Sequence, residues 1–191
     1  LDLDRSDYTT ISQSTITSYS GSVFAMQIFK GSTNTVVDSY IQGGVEAVSV
    51  NDSTGPTIIN SVLVATAPGG TGLTLKGVST GLTLSSSTIL TGSSGSGIWL
   101  DSGNKGYLNI SSAVFRGSRY GLKIDAQDAA CELAISSLTF QGLASGATAI
   151  HFLGGTFVST FNAVSFADMS IAVNVNAAAL AEGSRISMSN S

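Results

Sequence analysis

Apolar residues recur along the chain in short runs, where they alternate with polar or small residues. One pattern is a Gly or Ala followed by an apolar, a variable and a second apolar residue. Its copies begin, at steps of 22 to 28 residues, at Ala25, Ala47, Gly72, Gly97, Gly121, Ala149 and Ala172. Because successive side chains of a β-strand point to opposite faces, this period of two predicts strands with one buried face.

A second apolar pattern interleaves with the first. It runs from an apolar residue to a small or apolar residue three positions on, and ends on an apolar residue two positions later. Its copies begin, at steps of 22 to 26 residues, at Ile11, Val36, Ile58, Leu84, Ile110, Ile135, Phe161 and Ile186. Two interleaved patterns with the same period indicate a repeat architecture over nearly the whole chain.

The second pattern also predicts a corner in each repeat. The odd spacing between its first and last apolar residues, as from Leu84 to Ile89, switches the inward side of the strand. Four serines occupy the slot between them and are predicted to point inward and hydrogen-bond the corner backbone: Ser14, Ser39, Ser61 and Ser87. Later copies hold Ala113, Leu138 and Val164, which predicts a more apolar interior toward the C-terminus. Turns with positive φ are predicted at Gly43, Gly92, Gly117 and Gly142.

These patterns predict an all-β fold, a single-stranded parallel β-helix of about seven coils with about 25 residues per coil. We expect a right-handed helix because crossovers between parallel strands are almost always right-handed. Residues 11–191 are predicted to form the β-helix domain and residues 1–10 a lead-in segment. The abrupt ends suggest a fragment of a longer protein.

Composition narrows the classes of function. The chain is 42% hydrophobic, so it should fold, and only 10% charged with a net charge of −4, which argues against binding nucleic acid. A single cysteine and a single histidine argue against a disulfide, a metal site or a thiol catalyst, and no cofactor is implied. No apolar run reaches the roughly 18 residues of a membrane helix, so we expect no membrane insertion.

Stacked coils place equivalent outward residues in columns about 4.8 Å apart. The residue between the two apolar positions of the first pattern gives the column Gln27, Ser49, Thr74, Trp99, Lys123, His151 and Asn174. Two positions on, a second column contains Asn51, Lys76, Asp101, Asp125, Leu153 and Asn176. The columns predict one patch that contains Trp99, Asp101, Lys123, Asp125 and His151.

This patch suggests carbohydrate chemistry. Two neighbouring carboxylates suit acid–base cleavage of a glycosidic bond, so Asp101 and Asp125 are the catalytic candidates, with Asp128 or Glu132 as a third acid. Trp99 offers a flat face for a sugar ring, and Lys123, His151 and Arg119 complete the carbohydrate-binding candidates; Arg116 lies near Arg119. The alternative is a solvated ion-pair network around Lys123 with no catalytic role.

Two stretches carry a resemblance to a known family. "GIWLDSGNKGYLNISSAVFRG" and "AVFRGSRYGLKIDA" resemble coils of the pectin-lyase-like right-handed β-helix, and most of all those of bacteriophage tailspikes and tail appendages. The resemblance lies in the repeat style. The Asn-Thr-Asp, Asp-Asp and Gly-His-Gly motifs of polygalacturonases do not occur. Tailspikes of this type are typically homotrimers, and they bind or cleave capsular or lipopolysaccharide chains.

The resemblance implies a protein of the virion surface or the extracellular space that binds, and in an enzyme cleaves, bacterial surface polysaccharide. An enzyme of this kind would be a glycoside hydrolase or a polysaccharide lyase, and a homotrimer is expected. The alternative is a non-enzymatic structural stalk or adhesin, such as an autotransporter-type passenger domain. Such domains are also rich in Ser, Thr and Gly and nearly free of cysteine.

Overall fold

A computed structural model describes residues 1–19, 23–101, 106–167, 169–176 and 183–190, and for residues 106 and 126–130 only the backbone. In these residues the secondary structure is β-strand without any helix. The strands wind into a right-handed parallel solenoid of about 7 turns with roughly 25 residues per turn. The predicted fold class is therefore confirmed.

Each full turn contributes one strand to each of three faces. Face A contains β1 (Asp2–Asp4), β4 (Phe24–Phe29), β7 (Glu46–Asn51), β10 (Thr71–Lys76), β13 (Ser96–Leu100), the first parts of β16 (Tyr120–Ser136) and β18 (Thr148–Asn162), and β20 (Ile171–Val175). Face B contains β2 (Thr10–Ser12), β5 (Thr35–Val37), β8 (Thr57–Ile59), β11 (Thr83–Ser85), β14 (Gly106–Ser111), the second parts of β16 and β18, and β21 (Arg185–Ser189). Face C contains β3 (Thr15–Thr17), β6 (Tyr40–Gly43), β9 (Val62–Ala65), β12 (Thr88–Leu90), β15 (Val114–Arg116), β17 (Thr139–Phe140) and β19 (Ser165–Phe166). The segment predicted as a lead-in supplies β1, which pairs in parallel with β4.

A serine ladder forms the corner between faces B and C, as predicted. The backbone N–H groups of Ser14, Ser39 and Ser61 each donate to the hydroxyl of the ladder serine one coil on, at 3.2 Å. Each hydroxyl in turn donates to the carbonyl two residues before it, as in the 2.8 Å bond from Ser61 Oγ to Ile59 O. The ladder thus satisfies backbone groups at a sharp corner, which would otherwise be buried without partners.

The residue before each ladder position makes the corner. These residues have φ between 47° and 55°, and they are Gln13, Asp38, Asn60, Ser86, Ser112, Ser137 and Ala163. The predicted positive φ is confirmed at Gly117 and Gly142, with values of 79° and 55°. It is wrong at Gly43 and Gly92. There a Cβ would meet neighbouring carbonyl groups, that of Glu46 next to Gly43 and, at 2.6 Å, that of Ala67 next to Gly92. Close backbone approach therefore explains these two glycines.

The interior becomes aromatic toward the C-terminus. Apolar residues of face C stack inside the solenoid in strict register: Ile16, Ile41, Leu63, Ile89, Phe115, Phe140 and Phe166. The Phe115 and Phe140 ring centroids lie 4.9 Å apart, and those of Phe140 and Phe166 lie 5.7 Å apart. The ladder slot also changes as predicted, because Ala113, Leu138 and Val164 are buried.

Candidate carbohydrate-binding face

The predicted outward column runs across face A in register. Trp99 pairs with Lys123, Lys123 with His151, and His151 with Asn174 on consecutive coils. Their neighbours in each strand, such as Ile98 and Leu100, are buried in the core. Because neighbouring side chains of a strand point to opposite faces, Trp99, Lys123, His151 and Asn174 point outward. Successive members of this column are one coil apart, at about 4.8 Å.

Lys123 covers one face of the Trp99 indole. The Lys123 ammonium lies 4.4 Å from the ring centroid, a cation–π contact, and both residues are half-buried. Trp99 Nε1 is buried without a hydrogen-bond partner among the described residues. The flat face expected for a sugar ring is therefore shared with a cation on one side, and a ligand that contacts Trp99 also meets the charge of Lys123.

Tyr120 joins the patch, although the sequence interpretation missed it. Its ring stacks on the His151 imidazole with centroids 5.2 Å apart, and the guanidinium carbon of Arg119 lies 5.6 Å from the Tyr120 centroid. Tyr120 pairs with Ser96 and with Thr148, in the slot that precedes the Gly or Ala of the first pattern. The alternation that places Leu122 inside predicts an inward side chain in this slot, so the sequence pattern did not indicate Tyr120. Arg119, a predicted carbohydrate-binding residue, thus adjoins the patch through Tyr120, and it is exposed.

His151 is half-buried in this arrangement. Burial lowers the pKa of His151 below its usual 6.5, and the positive charge of Lys123 lowers it further. His151 Nδ1 is buried and lacks a hydrogen-bond partner within the described part of the chain. At neutral pH the imidazole is thus uncharged, and it can exchange hydrogen bonds with a ligand hydroxyl.

Asp101 and Asp125 lie at the same end of face A. They directly follow Leu100 and Ile124, which pair across neighbouring coils, and both aspartates are half-buried. The structure thus places the two aspartates on adjacent coils, as the columns predicted. Their catalytic role stays a prediction.

The second column does not continue beyond Asp125. A register shift after Ile124 places Gly154 opposite Asp125, so the predicted position of Leu153 is wrong. The insertion of Leu153 into β18 displaces it from the column, because a bulge sets two residues of one strand against one of the other. The acidic pair therefore stands at the point where the regular ladder ends.

Of the other charged candidates, Glu132 and Arg116 lie away from the patch. β16 continues from face A onto face B, where Glu132 pairs with Tyr107 and Val158. The side chain of Asp128 lies outside the described side chains. Arg116 is in β15 on face C, where its Nε and Nη2 donate to the side-chain oxygen of Gln141 at 2.9 and 2.6 Å in the amide orientation that satisfies both groups. Only Arg119 of the two arginines can therefore join Tyr120.

The amino-acid sequence matches a known protein family. The profile of the family described as "Right handed beta helix region" matches residues 1–140, which is most of the chain. The chain belongs to the right-handed β-helix family. Neither a curated protein nor a solved structure matches it.

Charged groups of this β-helix are concentrated on face A. Within the described strands, face C has a single charged side chain, Arg116, and face B has two, Glu132 and Arg185. Face A has Asp2, Asp4, Glu46, Lys76, Lys123 and Asp125. Since the outward residues of the other two faces are mostly Thr, Ser and Val, face A is the surface that offers charged groups for binding or acid–base chemistry.

A metal-binding cluster and a membrane-spanning helix are both absent from the described residues. No group of three or more His, Cys, Asp or Glu residues there could hold a metal ion. No helix in this part of the β-helix is long and apolar enough to cross a membrane. An open depression lined by Ala163, Val164, Ser165, Phe166 and Asn190 lies in the last coils, apart from the Trp99 patch.

Proposed function

We propose that this β-helix is a tailspike-like protein that binds bacterial surface polysaccharide, from a capsule or from lipopolysaccharide, along face A. The observation that carries the proposal is the alignment of Trp99, Lys123 and His151 on consecutive coils, extended by Tyr120 and Arg119. Membership of the right-handed β-helix family supports a polysaccharide ligand. Extracellular or virion-surface location and a homotrimer belong to the same proposal.

The patch offers the groups that sugar recognition requires. Trp99 and Tyr120 offer aromatic surface for the apolar faces of sugar rings, and the uncharged imidazole of His151 offers hydrogen bonds to sugar hydroxyls. Lys123 and Arg119 add donors for hydroxyl or acidic groups. Because the backbone beneath is hydrogen-bonded from coil to coil, these side chains are held in place before a ligand arrives.

Binding is tested with capsular polysaccharide and lipopolysaccharide immobilised on a sensor surface. We expect Trp99→Ala to weaken binding by about tenfold or more, since an aromatic anchor that is desolvated on binding contributes on the order of 2 kcal/mol. Tyr107→Ala is the matched control, because Tyr107 is an outward aromatic residue on face B that is 46% exposed. Equal binding by both variants and the wild type would contradict the proposal.

Cleavage is a separate part of the proposal, with Asp101 and Asp125 as general acid and base or nucleophile on a bound chain. In hydrolysis water adds across the glycosidic bond and creates a reducing end, whereas a lyase leaves an unsaturated sugar. We expect Asp101→Asn to abolish the release of reducing ends while binding persists. Undiminished cleavage by this variant would remove Asp101 from the mechanism.

The alternative, a structural stalk or adhesin, gives different results in the same experiments. A stalk without polysaccharide specificity would bind none of the immobilised glycans, and Trp99→Ala would then change nothing. Sedimentation equilibrium tests the expected trimer independently. A monomer at micromolar concentration would count against the tailspike assignment.

A further inference from the structure

Face A contains polar side chains that point outward yet are buried, on the two coils before Trp99. Glu46 is 6% exposed, Ser49 is 2% exposed and Thr74 is fully buried. Ser49 and Thr74 pair with each other, and Thr74 pairs with Trp99 on the next coil. Outward polar residues of a β-helix are normally solvated, so something on the surface covers these.

An ion pair forms this cover. Lys76 Nζ lies 2.7 Å from Glu46 Oε1, although Lys76 pairs with Asn51 in the ladder and Glu46 pairs with Thr71. The two charged residues thus lie at opposite ends of the strand segment that contains Thr74, and the Lys76 stem must cross this residue to reach Glu46. The Lys76 side chain is 33% exposed, so the cover faces solvent and can move.

The polar atoms beneath the cover have unused hydrogen-bonding capacity. Glu46 Oε2 and Thr74 Oγ1 are buried, and neither has a hydrogen-bond partner among the residues that the structure describes. Trp99 Nε1 is in the same condition on the adjacent coil. Together they present a carboxylate acceptor, a hydroxyl that donates or accepts, and an indole donor. Three such atoms on consecutive coils of face A match a ligand that is rich in hydroxyl groups.

We propose that Glu46, Thr74 and Lys76 form a second sugar subsite on face A, which opens when Lys76 withdraws from Glu46. This inference rests on the proposed function, because the second subsite would hold the sugar that precedes or follows the one bound at Trp99. Neighbouring coils are about 4.8 Å apart, comparable with the length of one sugar residue, so one chain running across the coils reaches both sites. A sugar hydroxyl then replaces the Lys76 ammonium at Glu46, and Thr74 hydrogen-bonds the same residue.

The test uses Thr74→Val, which removes the hydroxyl and keeps the side-chain shape. Thr57→Val, at an outward position of β8 on face B, is the matched control. Fragments of the capsule or lipopolysaccharide retained by the wild type, one sugar and one repeat long, are titrated calorimetrically. We expect Thr74→Val to weaken the longer fragment about five- to tenfold, the equivalent of one hydrogen bond, and to leave the shorter fragment at Trp99 unaffected. Thr74→Ser restores the affinity, and Thr57→Val changes neither.

Thermal unfolding separates this role from a structural one. Because the buried Thr74 hydroxyl has no partner, Thr74→Val should melt no lower than the wild type while it binds more weakly. Should it fail to fold, Thr74→Ala takes its place. Unchanged affinity for the longer fragment, with binding that still depends on Trp99, would overturn the subsite alone. Failure of the wild type to bind any polysaccharide would overturn both the proposed function and the subsite.

Discussion

Gly97 is a position where one added methyl group should clearly destabilise this β-helix. A Cβ at Gly97 would lie 2.5 Å from Phe115 Cδ1 and 2.6 Å from the Gly121 carbonyl oxygen. Both distances are about 1 Å shorter than the roughly 3.5 Å of a normal carbon contact. Phe115 cannot withdraw, because its ring stacks on Phe140 at 4.9 Å, and Gly121 O belongs to the backbone of the next coil.

Gly97→Ala should therefore be destabilised by about 3 kcal/mol, the upper part of the range for overpacking a core. For a chain of 191 residues this lowers the unfolding midpoint by about 6–12 °C. The assay is thermal unfolding followed by circular dichroism at the β-sheet signal. The reasoning would fail if Gly97→Ala melted within 1 °C or so of the wild type, given the slope of about 2–4 °C per kcal/mol.

Two other glycines serve as controls for this experiment. Gly69 has nothing within 4 Å of its Cβ position and is not in the left-handed region, so Gly69→Ala should change stability by less than about 0.5 kcal/mol. Gly142 is equally open but has a φ of 55°, so Gly142→Ala should cost about 1 kcal/mol from backbone strain alone. The loss of stability should decrease in the order Gly97→Ala, Gly142→Ala, Gly69→Ala, which separates the effect of steric collision from that of backbone strain.

Three further predictions use other parts of the molecule. Ser61→Ala removes the acceptor of Ser39 N–H at the buried corner and should cost about 1–3 kcal/mol, whereas Ser85→Ala, on the outer surface of face B, should be nearly neutral in the same unfolding assay. The lowered pKa of His151 means that the unfolded chain binds the proton more readily than the folded one, so stability should fall as the pH drops through the usual pKa of 6.5. The assay measures denaturant midpoints from pH 8 to pH 5, and His151→Gln should reduce that fall. Burial raises the pKa of the Cys131 thiol to about 12, so iodoacetamide at pH 8 should label the unfolded chain and spare the folded one; equal labelling of both would contradict this.

The predictable part of the fold is the part that every coil repeats. Ile98 and Leu100 could be placed inside and Trp99 outside from alternation alone, because a strand has no other way to bury two of these three side chains. The serine ladder was predictable for the same reason, since the parity change at each corner left a small polar residue facing the interior. The period of the repeat likewise predicts that Asp101 and Asp125 lie on adjacent coils.

Contacts that depend on side-chain direction were beyond the sequence. Nothing in the pattern indicates that Lys123 lies over the Trp99 ring or that Lys76 reaches back to Glu46, because a column fixes the starting points of side chains and not their rotamers. Tyr120 was missed because its slot holds Ser96 and Thr148 on the neighbouring coils, and only its ring size carries it to His151.

What the sequence determined by itself is thus the inside and outside of each coil and the order in which outward residues stack. Both follow from local strand geometry, repeated with one period. The tertiary structure alone decided where that period fails and which side chains pack over one another. Leu153 leaves its column because a bulge is set by the fit between two particular coils. Thr74 is buried on the outer side of a strand whose Lys76 pairs with a glutamate of the preceding coil. Such contacts join side chains across coils, so they exist only once the coils have stacked.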